Sequence, residues 1–251
     1  MSDQSSIPFE QIETLFVDVG NTLVSMDFQW ICRELEARGT QSRTALLRRA
    51  EAAARPALSR QLRHHSEKDG SRLFTAYLGE VLSRLSRLGV VLSRPAAELA
   101  RELSPILRPP GGTQRLWSAV LPGVEDALVA LKAAGLGLAV VSNSDGSVER
   151  GLEDLGLRDY FDAVIDSHLT GYEKPDPRIF FRALQLVGAT ASETVHVGDI
   201  YHADVTGAHA AGLHAVLLDP FDDWIDLDCV RFPDLRSLQS AICAARGESQ
   251  G

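Results

Sequence analysis

The chain is expected to fold as an α/β protein, a doubly wound parallel sheet that carries an inserted helical domain. Three observations predict this. Short β-branched runs alternate with amphipathic stretches along most of the chain, the chemically active polar residues fall directly after those runs, and one long segment breaks the alternation with helical spacing. The 251 residues, 45% hydrophobic and 24% charged, are enough for one large or two small domains with a sizeable core.

The first strand is Thr14-Leu15-Phe16-Val17, an apolar run of the kind that both faces of a parallel sheet bury. It leads into Asp18-Val19-Gly20-Asn21-Thr22, a glycine-bearing turn that carries a carboxylate and a hydroxyl out of the strand end. Residues 34–63, 73–88 and 95–107 then show apolar positions at helical spacing, with Pro56, Gly70 and residues 89–91 as interruptions. Beyond this insert, 138–141, 163–166, 194–197 and 215–218 read as strands, and 124–134, 148–155, 178–187 and 203–211 as the helices between them. The acidic-aromatic run 219–224 leaves the strand pattern. Residues 234–245 then read as a closing helix with Asp234 as its N-cap.

Charge divides the chain in the same place. The net charge is -9, yet residues 33–108 hold 15 basic against 8 acidic side chains, so a basic insert sits in an acidic host. That host would repel a phosphate backbone, which excludes nucleic acid as a partner. No apolar run approaches the roughly 20 residues that span a bilayer, and the N-terminus lacks a basic start followed by an apolar stretch, so a cytoplasmic protein is expected. Cys32, Cys229 and Cys243 share no metal-type spacing and read as reduced packing residues.

The polar residues collect at strand ends, where parallel sheets bind their ligands. Ser142 and Asn143 follow the strand at 138–141, Gly198 and Asp199 follow the strand at 194–197 with Asp204 five residues on, and Lys174 lies in the loop Gly171 to Pro177. Asp18, Asp199 and Asp204 in one site would repel unless a divalent cation lay among them, and an oxygen-rich site of this kind suits Mg²⁺. Thr22, Ser142, Asn143 and Lys174 would then hold phosphate oxygens. Cation, phosphate and carboxylate nucleophile together read as phosphoryl transfer through an aspartyl-phosphate.

In this order and over nearly the whole chain, these motifs resemble the haloacid dehalogenase superfamily of hydrolases, in the group whose helical cap follows the first motif. The resemblance rests on Asp18 to Leu23, Ser142-Asn143, Lys174 before Pro175-Asp176-Pro177, and Gly198-Asp199-x4-Asp204. It implies a Rossmann-like core of residues 1–24 and 109–251 with a cap of residues 25–108. Asp18 is then the nucleophile, Thr22 and Ser142 bind phosphate, and Lys174 steadies nucleophile and phosphate. Mg²⁺ is held by Asp18, the Gly20 carbonyl and Asp199, with Asp204 in support.

Gly20 departs from the family pattern, which has a second aspartate there as general acid and base. A general acid is typically worth on the order of 10² to 10⁴ in rate. The expectation is therefore a phosphohydrolase of a small phosphorylated metabolite whose leaving group needs little protonation, or whose proton comes from elsewhere. A catalytically weak binding or regulatory protein is the alternative, with haloacid dehalogenation and phosphonate cleavage, the latter through Lys68, behind it. His64, His65 and His202 are candidate proton carriers, and His196 reads as a packed core residue. A monomer or homodimer is expected.

Overall fold

β1 (Thr14–Val17) is buried at all four positions, as an apolar run covered on both faces requires. The computed structural model describes residues 7–64, 70–109, 113–225 and 227–247. After β1 the chain turns through residues 18–23, forms β2 (Val24–Met26) and enters α1 (Phe28–Glu36), α2 (Thr44–His64), α3 (Gly70–Arg87) and α4 (Ala96–Leu107). The short α5 (Thr113–Leu116) and β3 (Trp117–Val120) follow, and β3 pairs with β2. Alternation then sets in with α6 (Val124–Ala133), β4 (Gly137–Ser142), α7 (Val148–Asp154), β5 (Ala163–Asp166), α8 (Ser167–Thr170), α9 (Pro177–Val187) and β6 (Thr194–Gly198). A π-helical turn, Tyr201–Thr206, runs into α10 (Gly207–Ala210). β7 (His214–Leu218), β8 (Val230–Phe232) and α11 (Leu235–Ala245) complete the described chain.

Six strands form one sheet in the order β5-β4-β1-β6-β7-β8, and every pairing in it is parallel. The α/β doubly wound expectation holds. β1 lies between β4 and β6, with Val17 opposite Val140 on one side and Val197 on the other. The strand order reverses there, so the chain leaves three neighbouring strands at one edge, at Asp18, after Ser142 and at Asp199.

The chain divides into two compact units, one made of Met1–Ser25 and Ala119–Gly251 and the other of Met26–Ser118. Phe16, Val141, Ile165, Phe180 and Leu217 are among the buried side chains of the sheet unit. The helical unit has its own core, which includes Ile31, Leu35, Leu47, Leu78, Leu82 and Leu103. Its helices differ from the expected pattern in two ways. Residues 34–63 are split between α1 and α2, because Gly39 adopts a left-handed φ of 79° just past α1. Pro56 does not interrupt α2 but lies inside it; it lacks the N–H for one rung of the helix, and the neighbouring rungs carry the helix across. The compact helical unit also extends to Ser118, taking in α5 and the start of β3.

Asp27 caps α1 by accepting from Trp30 N at 2.8 Å, and Asp234 caps α11 by accepting from Ser237 N at 2.7 Å. No helix among the described residues is long and apolar enough to cross a membrane.

Candidate active site

The turn after β1 is tied back on itself. Leu23 N and Val24 N both donate to Val19 O, at 2.9 and 3.0 Å, and Asn21 N donates to Val24 O at 2.6 Å. Asn21 takes the left-handed position, φ 53°, and Gly20 is not among the glycines of positive φ. That twist lets the Asn21 side chain reach the next strand end, where Nδ2 donates to Asp199 Oδ2 at 3.0 Å. Asp18 N donates to Val197 O at 2.9 Å, fixing the carboxylate at the sheet edge.

Four charged groups meet there. Lys174 Nζ donates to Asp18 Oδ1 at 2.8 Å and to Asp204 Oδ1 at 2.6 Å, with the lysine side chain only 2% exposed. Asp18, Asp199 and Asp204 each place a carboxylate oxygen within 4.8 Å of the others. Two like charges at that separation repel by about 3 kcal/mol at an effective dielectric of about 20. Among the described residues one lysine meets three carboxylates, which leaves the cluster short of positive charge, and the hard oxygen donors around it match what a small divalent cation takes.

Asp204 is the most heavily used of the three. Its Oδ1 accepts from Lys174 and lies 3.0 Å from His196 Nε2, while Oδ2 accepts from Ile200 N at 2.8 Å. Burial alone would raise its carboxyl, but Lys174 and His196 hold it well below the usual carboxylate range. Burial likewise pulls the Lys174 ammonium down, and the Asp18 and Asp204 carboxylates outweigh it and hold the group well above its usual range. Burial also pushes His196 down. With the ring neutral, Nε2 carries the hydrogen toward the ionised Asp204, and Nδ1 is buried without a hydrogen-bond partner among the described residues.

The hydroxyls and the amide of the expected set separate in the structure. Thr22 Oγ1 is buried with no hydrogen-bond partner among the described residues, and Ser142 is buried at the end of β4. Asn143 is committed elsewhere: its Oδ1 accepts from Lys174 N at 2.7 Å and its Nδ2 donates to Lys174 O at 2.8 Å. Its side chain clamps the lysine's backbone. Two glycines make room for the arrangement. A Cβ on Gly198 would lie 2.1 Å from Asp204 Cγ, and one on Gly207 would lie 2.9 Å from Pro175 Cα.

The residues missed in sequence are thus Asn21, His196 and Gly207. His196 is fully buried, as a core residue should be, and also bonds to Asp204. A signal existed, because strand alternation puts positions 196 and 198 on one face, and the glycine at 198 marks a close approach there. Among the candidate proton carriers, His202 lies half-buried on the π-helical turn. His65 and Lys68 lie outside the described residues, as does the side chain of His64.

The sequence profile of the haloacid dehalogenase-like hydrolases matches residues 12–212. Over 251 residues the chain is 32% identical to haloacid dehalogenase-like hydrolase domain-containing protein 3 of Homo sapiens, covering 96% of this chain and 98% of that one. Over 114 residues it is 40% identical to ribulose-1,5-bisphosphate 5-phosphatase of Halopiger xanaduensis, covering 43% of this chain and 48% of that protein. Among solved structures, the magnesium-bound putative HAD-hydrolase YfnB of Bacillus subtilis aligns with a TM-score of 0.62 at 19% identity, over 92% of this chain and 98% of that one. This last likeness concerns the fold alone.

Proposed function

The chain belongs to the haloacid dehalogenase-like hydrolase family, and from that premise we propose that it is a Mg²⁺-dependent phosphohydrolase acting on a small phosphorylated metabolite through an aspartyl-phosphate on Asp18. One observation carries the reading. Asp18 has Oδ1 held by Lys174, while Oδ2 has no hydrogen bond among the described residues, and Thr22 follows in the same turn with Ser142 at the end of the neighbouring β4. A carboxylate with one oxygen anchored and the other unbonded is oriented for attack.

In this reading Asp18 Oδ2 attacks phosphorus. Lys174 fixes the carboxylate's rotamer and offsets charge between nucleophile and phosphate. Thr22 Oγ1 and Ser142 Oγ donate to phosphate oxygens, which gives the buried Thr22 hydroxyl the partner it lacks among the described residues. Asn143 acts on the reaction through Lys174, by holding its backbone. Asp18, Asp199 and the Gly20 carbonyl would hold Mg²⁺, which when bound supplies charge neutralisation between carboxylate and phosphate. Asp204 supports that set from behind, since both its oxygens already serve Lys174, His196 and Ile200 N. The division proposed from the sequence, with residues 25–108 as a cap that selects the substrate, belongs to the same reading.

Gly20 favours a second reading, a protein of this fold kept for binding phosphorylated ligands with little turnover. A panel of phosphorylated metabolites and acyl phosphates, run with Mg²⁺ and with chelator, separates the two. Phosphate release that needs Mg²⁺ is the expected result. Silence across the panel, with ligands still raising the melting temperature, would replace the enzyme by the binding protein.

A further inference from the structure

Gly20 offers no side chain, so any proton given to a leaving oxygen must come from another group. Among the described residues, the nitrogen donors of the core unit's cluster are already in use. Lys174 Nζ serves two carboxylates at 2.8 and 2.6 Å. Asn21 Nδ2 serves Asp199, and Asn143 Nδ2 serves the Lys174 carbonyl. His196 is fully buried, with Nε2 on Asp204. Thr22 and Ser142 have hydroxyls, which can hydrogen-bond an oxygen but are too weakly acidic to protonate one.

Resting on the phosphohydrolase reading, we infer that the substrate is one whose leaving group departs as a stable anion, and that acyl phosphates are the class this site takes. In the first step a bond forms between Asp18 Oδ2 and phosphorus, the bond from phosphorus to the acyl oxygen breaks, and its electron pair leaves with the carboxylate. No proton is needed. In the second step water adds to phosphorus, the bond to Asp18 breaks, and the carboxylate regains its electron pair. One water proton stays on the added oxygen and the other passes to a phosphoryl oxygen, so phosphate leaves carrying both. An alkyl phosphate fails at the first step, because an alkoxide is too basic to depart unprotonated.

The test compares kcat/KM of the full-length protein with Mg²⁺ on acetyl phosphate, 4-nitrophenyl phosphate and ethyl phosphate, with Asp18→Asn as the background. The first two are expected to exceed ethyl phosphate by on the order of 10² or more, the range a missing general acid leaves open. Gly20→Asp should then raise ethyl phosphate selectively, and the backbone at residue 20 is not in the left-handed region that would strain an aspartate. Comparable rates on all three substrates would overturn the inference and keep the phosphohydrolase, and loss of that levelling in His202→Gln would name the donor. No release above background from any of the three would overturn both.

Discussion

Each unit of the molecule buries a cluster of charged side chains, and the two clusters are built on different terms. In the helical unit Glu51 and Arg55 form a bidentate pair one turn apart on α2, with contacts of 3.0 and 2.7 Å, and Tyr77 of α3 donates to the same carboxylate. The two side chains are 0% and 6% exposed, and the pair carries one charge of each sign. In the sheet unit Asp18, Asp199 and Asp204 lie together, and among the described residues one lysine, Lys174, pairs with two of them, Asp18 and Asp204. The helical unit's pair sets opposite charges in direct contact on α2, with Tyr77 of α3 bonded to the same carboxylate, whereas in the sheet unit the described side chains leave an excess of buried negative charge, which is unfavourable until a cation arrives. Among the described residues, charge balance therefore separates the cluster that ties two helices together from the one proposed to carry the chemistry.

Four substitutions or additions break or sharpen that contrast. The largest effect is expected from Asp18→Asn, which keeps the shape and removes the nucleophile: turnover should fall by on the order of 10⁴ or more while circular dichroism and the melting temperature stay near the parent's. Glu51→Leu should do the reverse. Breaking a buried pair by removing one partner costs about 3 to 5 kcal/mol, so urea unfolding should show a large loss of stability while the folded protein keeps its kcat. Mg²⁺ comes next, since a ligand of the native state at a hundred times its Kd stabilises by about 2.7 kcal/mol. Its rise in melting temperature should vanish in Asp199→Asn, and an equal rise there would place the ion elsewhere. Gly198→Ala is the smallest and the most diagnostic of coupling. Its Cβ would collide with Asp204 Cγ, costing about 1 to 3 kcal/mol as overpacking does, and by displacing Asp204 it should lower kcat as well.

The sheet was legible because its strands are buried on both faces, which leaves uninterrupted apolar runs such as Leu15 to Val17 that polar residues end abruptly. The same rule made Asp18, Ser142 and Asp199 stand out. β8 was not legible, because three residues at a sheet edge carry too little pattern. The duty of Asn143 was hidden for another reason: its partner is the backbone of a residue 31 positions away, and no local spacing reports such a contact. His196 shows the same limit from the other side, since burial is written in a strand's apolar neighbours while the hydrogen bond to Asp204 depends on how the π-helical turn folds back over Gly198. The helical unit was read as helices but not as two separate ones before Lys68, because a left-handed glycine between amphipathic segments does not by itself break their period.

Whether Asp18 is a phosphoryl acceptor is tested most directly without any substrate. Fluoroberyllate adds to a carboxylate oxygen as a stable mimic of an aspartyl-phosphate, and ¹⁹F NMR reports the bound form. The account predicts bound resonances that require Mg²⁺ together with fluoroberyllate and that are absent from Asp18→Asn, and the same resonances in that variant would contradict it.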